Sequence, residues 1–154
     1  MTETLPPAHA ILRAPLGQMT HDLVTLNYHE RLIRRKRLVT AHDESFVVDL
    51  AETVSLDHGD GFELTDGRLI EVIAAPEALM QVTGDLPRLA WHIGNRHAPC
   101  QIMPGALILQ RDKVMRGMLE GLGALVIDID APFTPDGGAY GHGRTMGHVH
   151  SHDR

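Results

Sequence analysis

The stretch that decides the fold class is residues 85–97, Asp-Leu-Pro-Arg-Leu-Ala-Trp-His-Ile-Gly-Asn-Arg-His. Four apolar side chains in it recur at the i, i+3, i+4 and i+7 spacing that places residues on one face of a helix. They are Leu86, Leu89, Ala90 and Ile93. Asp85 stands where a helix N-cap belongs, and Pro87 suits the first turn. The pattern predicts an amphipathic helix from Asp85 to about His97.

Extended segments surround this helix, and a second helix follows them. Short apolar runs rich in β-branched residues predict strands at 78–82, 100–103, 106–109 and 124–129. A second apolar stripe predicts a helix from about Asp112 to Leu119 that stops at Gly121. The stripe consists of Val114, Met115, Met118 and Leu122. The predicted order is β-α-β-β-α-β, that of a ferredoxin-like unit.

The first half of the chain is β-rich. Short extended candidates, separated by turn sequences, lie at 23–28, 31–38, 46–50, 62–64 and 69–74. Five or six such strands predict a small sandwich or barrel-like domain. Residues 74–77 separate the strand-like first half from a second half that also has helical apolar spacing. We therefore expect an α+β protein with three parts. They are an all-β domain (1–75), a ferredoxin-like domain (76–135) and a flexible, histidine-containing tail (136–154).

Composition limits the classes of protein that fit. The 154 residues suffice for one ordinary domain or two small ones, and the net charge is −6 with neutral histidines. This balance argues against a nucleic-acid footprint over the whole surface, because phosphate binding depends on clustered Lys and Arg. No apolar stretch reaches the length of a membrane span, and the first ten residues do not form a signal peptide. We expect a cytoplasmic protein that binds neither nucleic acid nor membranes.

A local exception to the acidic balance is the run Arg34-Arg35-Lys36-Arg37. It lies in an alternating segment, 28–40, which predicts a strand with a charged, solvent-facing side. An RNA- or peptide-binding module that uses the basic strand Arg31–Arg37 is the alternative interpretation. Salt-sensitive RNA binding, lost when these cations are replaced and indifferent to metal, would support it.

Cys100 is the only cysteine, which excludes an intramolecular disulfide and a cysteine-based zinc finger and fits a reducing compartment. It follows His97 by three residues, but Pro99 prevents a helical alignment of the two, and no acidic residue stands beside them to orient a His/Cys pair. We therefore interpret Cys100 as a small, buried apolar residue and not as a nucleophile.

The last fourteen residues carry four histidines on a segment that cannot bury a core. They are His142, His148, His150 and His152. Imidazole binds borderline ions such as nickel, zinc and copper, and alternate histidines on a flexible segment can wrap an ion without a prior fold. The pattern predicts a metal-gathering arm. An expression tag and adventitious solvated histidines are the alternatives, although Met146, Val149 and Ser151 interrupt the run as tags usually do not.

His97 lies one turn beyond Ile93 on the packing stripe, where Ala98 and Pro99 must end the helix. His92 is five positions earlier, so the two histidines cannot chelate one ion as an i, i+4 pair would. One interpretation of His97 is a hydrogen-bonded or cap-like histidine at the helix end. The other is a metal ligand, whose partners come from the tail, from a second subunit, or from both.

Residues 92–102, His-Ile-Gly-Asn-Arg-His-Ala-Pro-Cys-Gln-Ile, resemble the Gly-Asn-Arg-His signature of the urease accessory protein E family, nickel metallochaperones for urease. Further segments similar to that family follow its order over nearly the whole chain. They are Ala74–Glu77, Gly121–Ala124, Ala131–Phe133, Gly137–Gly141 and the His-rich tail. The resemblance implies a peptide-binding-like N-terminal β domain, a ferredoxin-like metal-binding domain and a homodimer.

By this resemblance His97 is the central nickel ligand, which meets its counterpart at the dimer interface. Tail histidines complete the site, namely His150, His152 and His148. Ni(II) is the expected ion, with Zn(II) or Cu(II) as substitutes, because intrinsic affinity alone does not select nickel. Some members carry further histidines after the signature hairpin, whereas residues 109–113 here have none. The expected partners are the urease apoprotein and the other urease accessory proteins, including the maturation GTPase.

Two other classes of function compete with this interpretation. A metalloenzyme needs an open coordination position and a general base, but the chain lacks a His-Glu-x-x-His pair and has no glutamate near His97, so we expect no enzyme. A general zinc, copper or nickel buffer needs only the ligands. Normal metal binding without activation of an apo-urease would favour the buffer.

Overall fold

The computed structural model describes residues 3–137, and the chain folds as two compact units that divide between Ala75 and Pro76. The described residues form eleven strands and two helices, so the predicted α+β class is confirmed. Neither helix in this part of the chain is long and apolar enough to cross a membrane. Most of the predicted tail lies outside the described residues, and its flexibility stays a prediction.

Unit 1 is built from β-strands. They are β1 (Glu3–Thr4), β2 (Ala8–Leu12), β3 (Asp22–Leu26), β4 (Leu32–Val39), β5 (Glu44–Ser55), β6 (Gly61–Leu64) and β7 (Leu69–Ala74). Their sheet order is β1-β5-β2-β6-β7-β3, and β4 pairs with β5. Each of the five predicted segments falls on one of β3 to β7, whereas β1 and β2 were not predicted.

The core of unit 1 follows from the two-residue period of its strands, which turns alternate apolar side chains inward. Phe46 and Phe62 are fully buried and meet edge to face, with ring centroids 5.7 Å apart. Arg31 was expected to begin the exposed basic strand, and that prediction was wrong. Its side chain is 2% exposed. It donates to the carbonyls of Leu26 (3.0 Å) and Leu56 (3.2 Å), which compensates for burying the guanidinium.

Unit 2 follows the order β8 (Pro76–Thr83), α1 (Leu86–Asn95), β9 (Gln101–Met103), β10 (Ala106–Gln110), α2 (Lys113–Gly121) and β11 (Leu125–Pro132). Its four strands form a sheet in the order β11-β8-β10-β9, and all neighbours are antiparallel. Both helices begin at an aspartate N-cap. Asp85 accepts from the Arg88 N–H (3.4 Å), and Asp112 accepts from the N–H groups of Val114 (2.8 Å) and Met115 (3.0 Å).

The core of unit 2 lies between one face of the sheet and the two helices. It contains Met80, Val82, Leu89, Ile93, Leu107, Leu109, Met115, Leu119 and Val126. The predicted stripe of α1 is confirmed, because Leu89 and Ile93 are buried and its other members pack against them. The predicted stripe of α2 was half wrong, since Val114 is 69% and Leu122 is 45% exposed. The buried position is Leu119, one helical turn after Met115.

Candidate metal centre

Helix α1 ends in a Schellman motif. The His97 N–H donates to the Gly94 carbonyl (2.9 Å), and the Ala98 N–H reaches back to the Ile93 carbonyl (3.4 Å). His97 itself has left-handed backbone, with φ of 59°. In this motif the left-handed position is usually glycine, because glycine has no Cβ to clash with the following carbonyl. A histidine therefore occupies a position that the local geometry offers to glycine.

The left-handed turn decides where His97 points. The prediction that its side chain continues the packing stripe was wrong, because the chain leaves the helix axis before residue 97 reaches the next helical position. Ile93 is completely buried, whereas His97 is exposed. The prediction that the helix ends here is confirmed. An L-residue in this conformation costs about 1–2 kcal/mol, and an exposed residue held in such a conformation is a candidate for a functional role.

The electrostatics of this position favour a cation. The last carbonyl groups of a helix carry a partial negative charge, equivalent to roughly half an electron. His97 directly follows that end of α1. An ion held by its imidazole would lie close to this negative end, which stabilises a positive charge by about 0.3–1 kcal/mol.

His97 cannot complete a metal site from the described part of its own chain. Among residues 3–137, no three His, Cys, Asp or Glu side chains gather in an arrangement that could hold a metal ion. His92 is half-buried, and its ring packs edge-on against Trp91 at 5.1 Å between centroids. Trp91 is 64% exposed. The tail histidines predicted as ligands, His148, His150 and His152, lie outside the described residues.

Cys100 is unsuited to act as a thiolate. It is partly buried against the core of unit 2. That burial, together with the negative charge of Asp136, raises the pKa of the thiol to about 11, although a hydrogen bond with the backbone of Ile108 opposes the shift. Because the thiolate is the nucleophilic form, a thiol that stays protonated at neutral pH is a poor nucleophile.

The residues after β11 lead the chain back to the loop that follows His97. The Asp136 N–H donates to the Cys100 carbonyl (2.9 Å), and the Asp136 carboxylate accepts from the Ile102 N–H (3.0 Å). Strands β11 and β9 lie at opposite edges of the sheet. The chain therefore passes from one edge to the other, and Asp136 is bonded to Cys100, which lies three residues beyond His97 in sequence. The sequence pattern had placed Asp136 in the tail and gave no sign of these bonds.

Arg111, in the stretch 109–113 at the end of the β9–β10 hairpin, forms ion pairs. Arg111 donates to the Ile129 carbonyl (2.8 Å) and lies 3.4 Å from the carboxylate of Asp128. Arg116 of α2 also pairs with Asp128. These side chains connect α2 to β11, and arginine does not bind metal ions at neutral pH because its guanidinium stays protonated. Arg111, at the centre of the histidine-free stretch 109–113, is therefore held by these ion pairs and offers no metal ligand.

Two histidines of unit 1 are engaged with carboxylates. His21 lies 2.8 Å from Glu44, and His42 lies 2.9 Å from Asp22. Burial opposes ionisation of Asp22, but hydrogen bonds from Thr40, from His42 and from two backbone N–H groups outweigh it and lower its pKa to about 2. The hydrogen bond and the charge of Asp22 raise the pKa of His42. These pairs stabilise turns of unit 1 and do not form a metal site.

Comparison with known protein families shows the family to which this chain belongs. Residues 1–75 match the family described as UreE urease accessory protein, N-terminal domain, and residues 70–154 match UreE urease accessory protein, C-terminal domain. The chain belongs to the UreE family. The resemblance seen in the signature at residues 94–97 is thereby confirmed, and it extends over both units.

Individual proteins of the UreE family are also similar to this chain over most of its length. A urease accessory protein UreE of Ruegeria pomeroyi is 58% identical over 147 residues, which cover 95% of this chain and 99% of the relative. One of Cereibacter sphaeroides is 54% identical over 153 residues, or 97% and 82% of the two chains. One of Rhodobacter capsulatus is 55% identical over 129 residues, or 84% and 83%. All three are named as accessory proteins.

Proposed function

We propose that this chain is a nickel metallochaperone, which collects Ni(II) and delivers it for assembly of the urease metallocentre. Membership of the UreE family supports the connection with urease. The observation that carries the nickel part is His97, which is exposed at the negative end of α1 in a conformation that glycine would adopt at lower cost. In this proposal the protein acts in the cytoplasm, carries the ion as cargo and catalyses no reaction.

We also infer the character of the two units. Unit 2 has the chain order β-α-β-β-α-β with both helices packed on its sheet, which supports a ferredoxin-like metal-binding domain. Unit 1 would be the peptide-binding-like domain. The division at Ala75 supports a first domain of residues 1–75. The bonds of Asp136 suggest that the free arm begins after it and not at residue 136.

The proposed ligands are His97 of two subunits and the tail histidines His150, His152 and His148. Two observations support a set that is shared in this way. The described residues of one chain offer no complete ligand set, so partners must come from the tail or from a second copy. The chain up to His148 adds roughly 40 Å of extended reach beyond Gly137, which is ample for an arm that starts beside Cys100.

Lability of the ligands provides the mechanism of delivery. The backbone of His97 is fixed by its motif, whereas arm ligands can leave one at a time, so that an acceptor site replaces them without a chemical step. Imidazole must be neutral to coordinate, and its ordinary pKa is about 6.5. Nickel affinity should therefore fall as the pH drops through that value. An affinity that stays constant down to pH 5 would exclude a histidine ligand set.

A calorimetric nickel titration tests the ligands. It compares the wild type, His97→Ala, a chain ending at Tyr140 and the control His92→Ala, each at a measured oligomeric state. We expect one Ni(II) per dimer, loss of the tight phase in His97→Ala, a weaker tight phase in the shortened chain and no change in the control. If His97→Ala binds normally and the shortened chain binds nothing, the ion belongs to the tail alone.

Delivery needs a separate experiment. Nickel-loaded protein is mixed with apo-urease and the other accessory proteins, and urease activity is followed with the free ion chelated. We expect activation by the wild type and much less by His97→Ala at equal total nickel. Normal nickel binding without activation would show a metal buffer in place of a chaperone.

A further inference from the structure

Strand β4 contains four consecutive cationic side chains that all face solvent. They are Arg34, Arg35, Lys36 and Arg37. The chain has 14 Lys and Arg against 20 Asp and Glu, so ten cations remain elsewhere against the 20 acidic residues. Positive charge is therefore concentrated on this strand of an otherwise acidic protein. The metal centre proposed above makes no use of it.

Most of this charge is not neutralised by neighbouring side chains. Arg35 forms an ion pair with Asp49 (3.2 Å), and Arg34 donates to a backbone carbonyl of β5 (3.3 Å). Lys36 and Arg37 have no carboxylate within ion-pair distance in residues 3–137. An exposed ion pair contributes little, so even Arg35 remains available to an external anion.

The backbone of β4 is an open edge. Within the described part of the chain, β4 pairs with β5 alone. Such a strand directs alternate N–H and C=O groups away from its only neighbour, and these groups can accept a further strand. Apolar side chains flank the cations. Arg37 lies opposite Val47, and Val39 shares its face two residues later; Val39 is 45% and Val47 is 42% exposed.

We propose that β4 is a docking edge for an acidic, extended segment of a partner protein, which adds to the sheet as a strand. Backbone hydrogen bonds would supply much of the affinity, and the exposed valines would contact alternate apolar side chains of the segment. The cations select the occupant. Like charges placed opposite each other destabilise a strand pair, whereas opposite charges stabilise it. The same four cations therefore oppose pairing with β4 of a second copy and favour an acidic strand.

Fluorescence anisotropy of a labelled peptide tests this docking edge. The probe is the eight-residue peptide (Glu-Val)4, blocked at both ends, added to the full-length protein without nickel. We expect binding that weakens between 50 and 300 mM NaCl and that shifts the backbone amide resonances of residues 32–39. The variant Lys36→Glu/Arg37→Glu should bind about tenfold more weakly. The control Arg88→Glu/Lys113→Glu makes the same change in net charge on exposed residues of unit 2 and should bind as the wild type.

Altered probes keep the test decisive if the charge-reversal variant folds poorly. A (Glu-Val)4 peptide in which every backbone amide is N-methylated has no N–H group to donate to β4 and should not bind, and (Lys-Val)4 should not bind either. Equal binding of the N-methylated peptide, or no binding of the parent peptide at 50 mM NaCl, would overturn the proposal. An eight-nucleotide oligouridine that binds more tightly than the acidic peptide would show a nucleic-acid surface instead. None of these results depends on nickel binding at His97.

Discussion

The two helices of unit 2 end in the same hydrogen-bond motif but with different residues at its left-handed position. In α2 the position is Gly123, with φ of +91°, and the Ala124 N–H donates to the Leu119 carbonyl at 3.0 Å. In α1 it is His97, with φ of 59°. The end of α2 shows the residue that this turn accommodates without strain. At the end of α1 the same turn contains a strained L-residue, whose imidazole is exposed.

The comparison separates stability from binding within one unit. At Gly123 a Cβ would meet no atom within 4 Å, so a substitution there changes the backbone energy alone. At His97 the wild-type backbone already has the strained left-handed conformation, and we infer that the function of the imidazole is the reason this strain is retained. Substitutions at the two positions should therefore have opposite consequences.

The largest difference should appear in nickel affinity. His97→Gly removes the proposed central ligand, and we expect the tight affinity to fall by more than about 100-fold, because even indirect disturbance of a metal site costs 10- to 100-fold. Gly123→Ala should bind nickel as the wild type. Titrations of both variants measure the contrast, and equal affinities would remove His97 from the site.

The reverse contrast should appear in stability. Gly123→Ala forces an L-residue into the left-handed conformation, and we expect the free energy of unfolding to fall by about 1–2 kcal/mol. Urea denaturation of the nickel-free protein measures this loss. An unchanged midpoint would mean that the turn relaxes to another conformation and that its left-handed geometry is not required.

His97→Gly should stabilise the nickel-free protein. Relief of the left-handed strain exceeds the added freedom of glycine in the unfolded chain, and we expect a net gain of about 0.5–1 kcal/mol. His97→Ala keeps an L-residue at the position and serves as the control, with little change expected. If both variants lose stability equally, the imidazole supports the fold and the strain argument is wrong.

Asp136 provides a smaller test of the arm. Asp136→Ala should free the start of the tail and lower nickel affinity by about threefold, since a longer and less directed linker reduces the effective concentration of its ligands. Asp136→Asn retains an oxygen for the Ile102 N–H and should restore affinity. In a chain ending at Tyr140 the effect of Asp136→Ala should disappear. Its persistence there would show a role independent of the arm.

The smallest effect is expected at Cys100. Because burial raises the pKa of the thiol to about 11, roughly one thiol in a thousand is ionised at pH 8. Cys100→Ala should leave nickel affinity within about twofold of the wild type, and alkylation of the thiol should be slow until the pH approaches 11. Rapid alkylation at pH 7 would contradict the burial seen here.

Features that depend on local spacing could be predicted from the sequence. Helix α1 and its N-cap follow from apolar periodicity and from Asp85, and α2 begins at Asp112 for the same reason. The direction of His97 could not be predicted in this way. Position 97 continues the numerical stripe from Ile93, and only the observed left-handed φ shows that the helix has already ended.

Features that depend on distant parts of the chain were beyond the sequence patterns. The bonds of Asp136 join the segment that follows β11 to the start of β9, strands that are separated in sequence by β10 and α2. Strand β2 was missed because it shows no regular alternation of buried and exposed residues. The burial of Arg31 likewise requires two carbonyls from separate strands, that of Leu26 at the end of β3 and that of Leu56 just after β5. Each of these contacts arises from packing and not from local preference.

The exposure of Trp91 has an optical consequence. It is the only tryptophan of the chain, so the near-ultraviolet emission excited at long wavelength arises from one turn of α1. His97 follows it by six residues, of which the last two lie beyond the end of α1. A paramagnetic ion at the end of α1 would quench this emission, whereas a closed-shell ion such as zinc would not. The molecule thus carries a natural reporter that distinguishes the arrival of different cargoes in unlabelled protein.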